Sequence, residues 1–116
     1  MIFEDSINKE YRNIIQRIPY KALIDEELSP SEIFSTNNEI YNYIDLCNEQ
    51  IYLRMSNRVS KKTWENWQDG MSTNFALKAF NNTLTEIYEK LSSNFNNLRR
   101  VQALGFRTDP KKWKNI

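Results

Sequence analysis

Apolar side chains return every three or four positions along most of the chain, the spacing of helices that each bury one face. Ile7, Tyr11, Ile14, Ile15 and Ile18 form the first stripe, predicting a helix over about 4–18 that Pro19 breaks or kinks. A short continuation through Ala22, Leu23 and Ile24 leads into the acidic Asp25-Glu26-Glu27. Ser29-Pro30-Ser31-Glu32 is a helix start, with a capping hydroxyl and a proline preset for the first turn, and a short helix is expected to end near Ser35. Thr36-Asn37-Asn38-Glu39 has capping-box spacing and is expected to open the longest helix, reaching Ser56. At 100° per residue, Ile40, Ile44, Cys47 and Ile51 fall within about 60° of one another and mark its inner face.

Asn57-Arg58 reads as a turn, after which Ser60 caps a helix with Trp64, Trp67, Met71 and Phe75 on one stripe. A further helix over about 76–91 carries Leu77, Phe80, Leu84, Ile87, Tyr88 and Leu91, with Glu86 and Lys90 paired on its outer face. The last, near 93–104, carries Phe95, Leu98, Val101 and Leu104 and stops at Gly105. Short connections between such stripes imply antiparallel neighbours. The expected fold is all-α, a single small antiparallel bundle of about five helices over 1–105, with a basic, aromatic-containing tail over 106–116 that looks extended or loosely docked. No run of consecutive apolar residues exceeds three, so no membrane helix is expected. The first residues lack the pattern of a signal peptide, which points to a cytoplasmic protein.

Composition narrows the chemistry. The 116 residues include no His, one Cys and two Gly. Without His there is no Ser-His-Asp or Cys-His catalytic group and no His-ligated metal. Two glycines cannot build a glycine-rich phosphate loop, and one cysteine cannot close an intrachain disulfide. Cys47, on an inward stripe and with no base to activate it, reads as a small core residue, and one of Asn48 and Arg54, which flank the inward face, is expected to hydrogen-bond across the bundle. Asp45 with Glu49, and Glu65 with Asp69, each lie one helical turn apart, as in a di-metal bundle. Their phase, roughly 115–170° from the apolar stripes, turns them to water instead. Trp64 and Trp67 could form a stacking platform, but they share their stripe with Met71 and Phe75, which favours a core role. Gly70 beside them is expected to admit a neighbouring helix. No enzyme, cofactor or metal site is expected.

Charge is unevenly divided. The formal net charge is +1. From Arg99 onward there are six basic residues and one acid, giving +5, and the first 98 residues hold ten basic and fourteen acidic, giving −4. The candidate partner-binding residues are therefore Arg99, Arg100, Arg107, Lys111, Lys112, Trp113 and Lys114. Basic residues interleaved with aromatics suit nucleic acid. They also suit an acidic protein partner, or this domain's own acidic face.

One block is familiar. Leu46-Cys47-Asn48-Glu49-Gln50-Ile51-Tyr52-Leu53-Arg54, Arg58-Val59-Ser60 and Thr63-Trp64-Glu65-x-Trp67-x-x-Gly70-Met71-x-x-Asn74-Phe75, with Phe80, resemble an uncharacterised bacterial family of small helical proteins. In its members a short cytosolic helical segment of this type commonly follows a membrane helix, which this sequence lacks. The resemblance implies a self-contained helical module used for contact, in phage-related or defence-associated settings, and supplies no catalytic residues. The expected function is a non-enzymatic module that binds a protein partner or itself, through an apolar helix face and the basic tail. The alternative is a nucleic-acid-binding protein that uses the tail.

Overall fold

The computed structural model describes residues 2–91 and 93–113. They form six α-helices and no strand: α1 (Ile2–Gln16), α2 (Tyr20–Leu23), α3 (Pro30–Met55), α4 (Lys61–Phe75), α5 (Lys78–Lys90) and α6 (Asn96–Ala103), followed by a 3₁₀ turn (Pro110–Lys112). The chain is a small all-α bundle. Helix α3 is its spine and packs against α1, α4, α5, α6 and the 3₁₀ turn. The body measures 42 × 30 × 19 Å. A thickness near two helix diameters leaves room for one core layer.

The spine differs from its expected form. Residues 30–55 are one helix, not two, and Thr36 lies inside it at 1% exposure. The working capping box is the earlier one. Ser29 Oγ accepts from the Glu32 amide at 3.3 Å, and Glu32 Oε1 accepts from the Ser29 amide at 2.9 Å, with Pro30 in the first turn. No Gly or Pro interrupts the following residues. Thr and Asn weaken a helix interior by only a fraction of about 0.7 kcal/mol each, too little to stop a helix whose next turns are buried. The inner stripe then runs as expected, with Ile40, Ile44, Cys47 and Ile51 fully buried.

Three helices end in the same way. After α2, α3 and α6 the chain turns through a left-handed residue, Asp25 (φ 62°), Asn57 (φ 58°) and Gly105 (φ 70°). Each end shows the paired backbone bonds of a Schellman cap. After α6, Gly105 N donates to Gln102 O at 2.9 Å and Phe106 N to Val101 O at 3.0 Å. After α3, Asn57 N donates to Arg54 O at 3.0 Å and Arg58 N to Leu53 O at 2.8 Å. Helix α5 begins at Lys78 and has no cap from its own N-cap residue Leu77. Asp25 supplies one across the fold, its Oδ1 accepting from the Lys78 amide at 2.8 Å.

The core centres on Tyr43. Its ring meets those of Tyr11, Phe75 and Phe80 at 5.9, 5.4 and 5.5 Å. Trp64 and Trp67 are buried, as their stripe implied. Gly70 is not a point of close helix approach, because a Cβ there would meet nothing within 4 Å.

Candidate functional site

The C-terminal segment is built into the bundle. Past the left-handed pair Gly105 and Phe106, the Phe106 ring stacks on Phe75 at 6.1 Å and 14°. Thr108 is held at three atoms. Its amide donates to Gln68 Oε1 at 2.9 Å, its carbonyl accepts from Trp64 Nε1 at 2.8 Å, and its hydroxyl accepts from Trp113 Nε1 at 2.8 Å. Asp109 then accepts both arms of the Arg54 guanidinium at 2.8 Å each, while Arg54 Nη1 donates to the Val59 carbonyl at 3.0 Å. The Arg54 and Asp109 side chains are 5% and 14% exposed, so this is a nearly dry, bidentate pair. The Arg54 hydrogen bonds hold the Asp109 carboxyl below its ordinary range, and Asp109 in turn raises Arg54. Asp109 Oδ1 also caps the 3₁₀ turn by accepting from the Lys111 amide at 3.1 Å. Described residues 106–113 are therefore docked rather than extended. Of Asn48 and Arg54, Arg54 makes the bond across the bundle.

The fold divides the candidate binding residues. Arg99 is taken up by structure: its guanidinium donates to the Tyr88 and Leu91 carbonyls at 2.8 and 3.3 Å and lies 4.2 Å over the Tyr88 ring. It closes the end of α5. Arg100 lies 4.2 Å over the Trp113 ring, and the half-buried Trp113 indole is also tied to Thr108. Arg107, Lys111 and Lys112 remain exposed. Arg107 and Lys112 line a hollow of about 290 Å³ together with Lys61, Glu65 and Asp109. Lys61 is the first residue of α4, an element the tail-centred reading left out. No periodicity signals its meeting with Arg107, since the two come together only through the docking of Thr108 and Asp109. Lys114 lies outside the described residues.

A second surface is apolar. Phe34, in the second turn of α3, is 84% exposed, and with Tyr41 of α3 and Ile87 of α5 it lines a shallow groove of about 840 Å³. Tyr41 packs edge-on against Phe95 at 5.9 Å. The sequence signals this face only weakly, because Phe34 falls outside the Ile40-Ile44-Cys47-Ile51 stripe.

The remaining candidates resolve into structure. Asp45, Glu49, Glu65 and Asp69 are exposed, and no group of three or more metal-ligating side chains occurs among the described residues. The Trp64 and Trp67 indoles spend their N–H groups on Thr108 and Asn8. Cys47 is fully buried, and burial pushes its thiol far above the ordinary range, which leaves it an inert protonated group. No helix among the described residues is long and apolar enough to cross a membrane. No family model, curated protein or solved structure matches the chain.

Proposed function

We propose that the chain is a non-enzymatic interaction module that binds a protein partner, or a second copy of itself, through the groove between α3 and α5. The observation that carries this reading is Phe34. A phenylalanine held 84% exposed on a capped helix, facing a groove shared with Tyr41 and Ile87, leaves apolar area in water that a partner would cover. Aromatic residues, phenylalanine among them, are enriched at the centre of protein interfaces. Phe34→Glu is expected to leave the fold unchanged, because the ring contributes little to the core. It is expected to abolish self-association in sedimentation velocity, or recovery of the native partner in a pull-down from the host. Wild-type behaviour of Phe34→Glu in both assays would sink the proposal.

A second reading has its own observation. Lys61, Arg107 and Lys112 gather at one hollow with Glu65, where the neighbouring Asp109 is already paired with Arg54, so cations outnumber the remaining carboxylate. That edge suits the phosphate backbone of nucleic acid. Phe106 and Trp113 are engaged inside the fold, so this mode relies on phosphate contact and gains no support from base stacking.

A further inference from the structure

The two ends of α3 carry opposite charges that no contact within the chain brings together. At its start, Glu26 and Glu27 are exposed and form no ion pair among the described residues. They line a hollow of about 370 Å³ with Leu28, Ile33 and Lys78, and this hollow meets the Phe34 groove at Asn37, which lines both. The same corner is apolar. Tyr20, Ile24, Ile33 and Phe34 are 73%, 43%, 44% and 84% exposed, and the Lys21–Glu32 ion pair at 3.1 Å holds α2 beside the start of α3. At the other end, Lys61, Lys62, Arg107, Lys111 and Lys112 are exposed and likewise form no ion pair among the described residues. Glu65 is the carboxylate left beside them, since Asp109 is paired with Arg54. Tyr52, in the last turn of α3, is 53% exposed at this end. Along α3, Asn37 beside the acids and Arg54 beside the cations are about 26 Å apart at about 1.5 Å per residue, roughly three Debye lengths in physiological salt. The docked tail therefore does not neutralise the acidic run of its own chain, whereas the tail of another molecule can.

We infer that the acidic, apolar corner of one copy binds the basic end of a second copy, so that chains associate head to tail. The inference rests on the reading of Phe34 as a contact residue and names what covers it. Charge complementarity is the argument, because both halves of the match are exposed, unpaired and carried by one chain whose net charge is only +1. The two surfaces differ, so each contact leaves one acidic and one basic end free. Association then continues into open chains unless the rotation between copies closes a ring. Two copies that met through the same acidic corner would instead set like charges against each other.

Sedimentation velocity of the whole chain, over increasing protein concentration at low salt, tests the pairing. Species larger than a dimer are expected, and raising salt from about 50 to about 500 mM is expected to weaken association at least tenfold. Two variants each remove one end: Glu26→Gln with Glu27→Gln, and Arg107→Gln with Lys111→Gln and Lys112→Gln. These side chains are exposed, so both variants are expected to keep the wild-type melting temperature. Each alone is expected to associate at least tenfold more weakly than wild type. Mixed in equal amounts, they retain one intact acidic end and one intact basic end. A heterodimer with the wild-type pairwise affinity is expected, and nothing larger. A wild-type chain that stays monomeric at low salt, or a mixture no more associated than its components, would overturn the inference. Salt-insensitive dimers that both charge variants retain and Phe34→Glu abolishes would overturn it alone and leave the groove reading in place. Assembly that Phe34→Glu leaves unchanged would overturn it and count against the groove as well.

Discussion

Arg54 and Asp109 show how one residue pair can decide where a segment lies. Both side chains are nearly dry, and Arg54 also satisfies the Val59 carbonyl. Replacing Arg54 with Met strands a carboxylate and a carbonyl at once, and a loss of about 3 kcal/mol in urea unfolding is expected. The pH dependence follows from the direction of the Asp109 shift. Its carboxyl is held below the ordinary value by Arg54, so the pair stabilises the fold above the unfolded value near 4 and loses that contribution as pH falls through the folded value. Asp109→Asn is expected to be less stable than wild type at neutral pH, and the two curves should converge in acid. Parallel curves from pH 7 to pH 2 would show that the pair is not the titrating element. Thr36 makes the opposite case. Its hydroxyl oxygen is buried without a hydrogen-bond partner among the described residues, so Thr36→Val removes an unsatisfied polar group while keeping the shape. A gain of about 1 kcal/mol is expected in the same unfolding assay.

At the scale of elements, Asp25 does two jobs in one residue. It takes the left-handed position that ends α2, and its carboxylate caps α5, 53 residues away. The two roles separate by substitution. Asp25→Gly loses the cap but fits the backbone, whereas Asp25→Ala loses the cap and keeps an unfavourable conformation. Alanine is therefore expected to be the more destabilising by about 1 kcal/mol, measured by denaturant unfolding. This residue also marks the limit of local reading. The stripes of α1, α3, α4 and α5, the Ser60 cap and the Gly105 stop were legible because they depend on neighbours within a turn or two. The Asp25 cap and the Arg54 pair were not, because each joins residues more than 50 apart. Thr36 departs from its local pattern for a related reason: the capping spacing is real, but the stronger cap at Ser29, seven residues earlier, already carries the helix through it. The basic residues of the tail were visible in the sequence, whereas the α5 carbonyls that occupy Arg99 and the docking that covers Trp113 were not.

For the whole molecule, net charge is a poor guide and its placement a good one. The acidic Asp25-Glu26-Glu27 run immediately precedes the start of α3, and the Arg54–Asp109 pair with Arg107 and Lys112 sits at its end. The 26 residues of α3 span about 39 Å at 1.5 Å per residue, several times the Debye length of about 8 Å in physiological salt. Each end therefore meets a partner with its own sign, whatever the sum. Removing the tail is a poor way to test the basic end, because a chain cut after Gly105 also loses the Phe106 stack, the Thr108 bonds and the Asp109 pair. Such a truncation is expected to lower stability regardless of what the tail binds. Reversing Arg107, Lys111 and Lys112 to Glu leaves those contacts in place and is expected to hold the melting temperature. If nucleic acid is the partner, Lys61, Arg107 and Lys112 neutralise about three phosphates, and log K should fall against log salt with a slope of about −2.7. That corresponds to a loss of roughly forty-fold between about 50 and 200 mM salt, and to no measurable binding in the charge-reversed chain. A flat response, or binding that survives the reversal, removes nucleic acid as the partner of this edge and leaves the proposed groove at Phe34 as the surface to test.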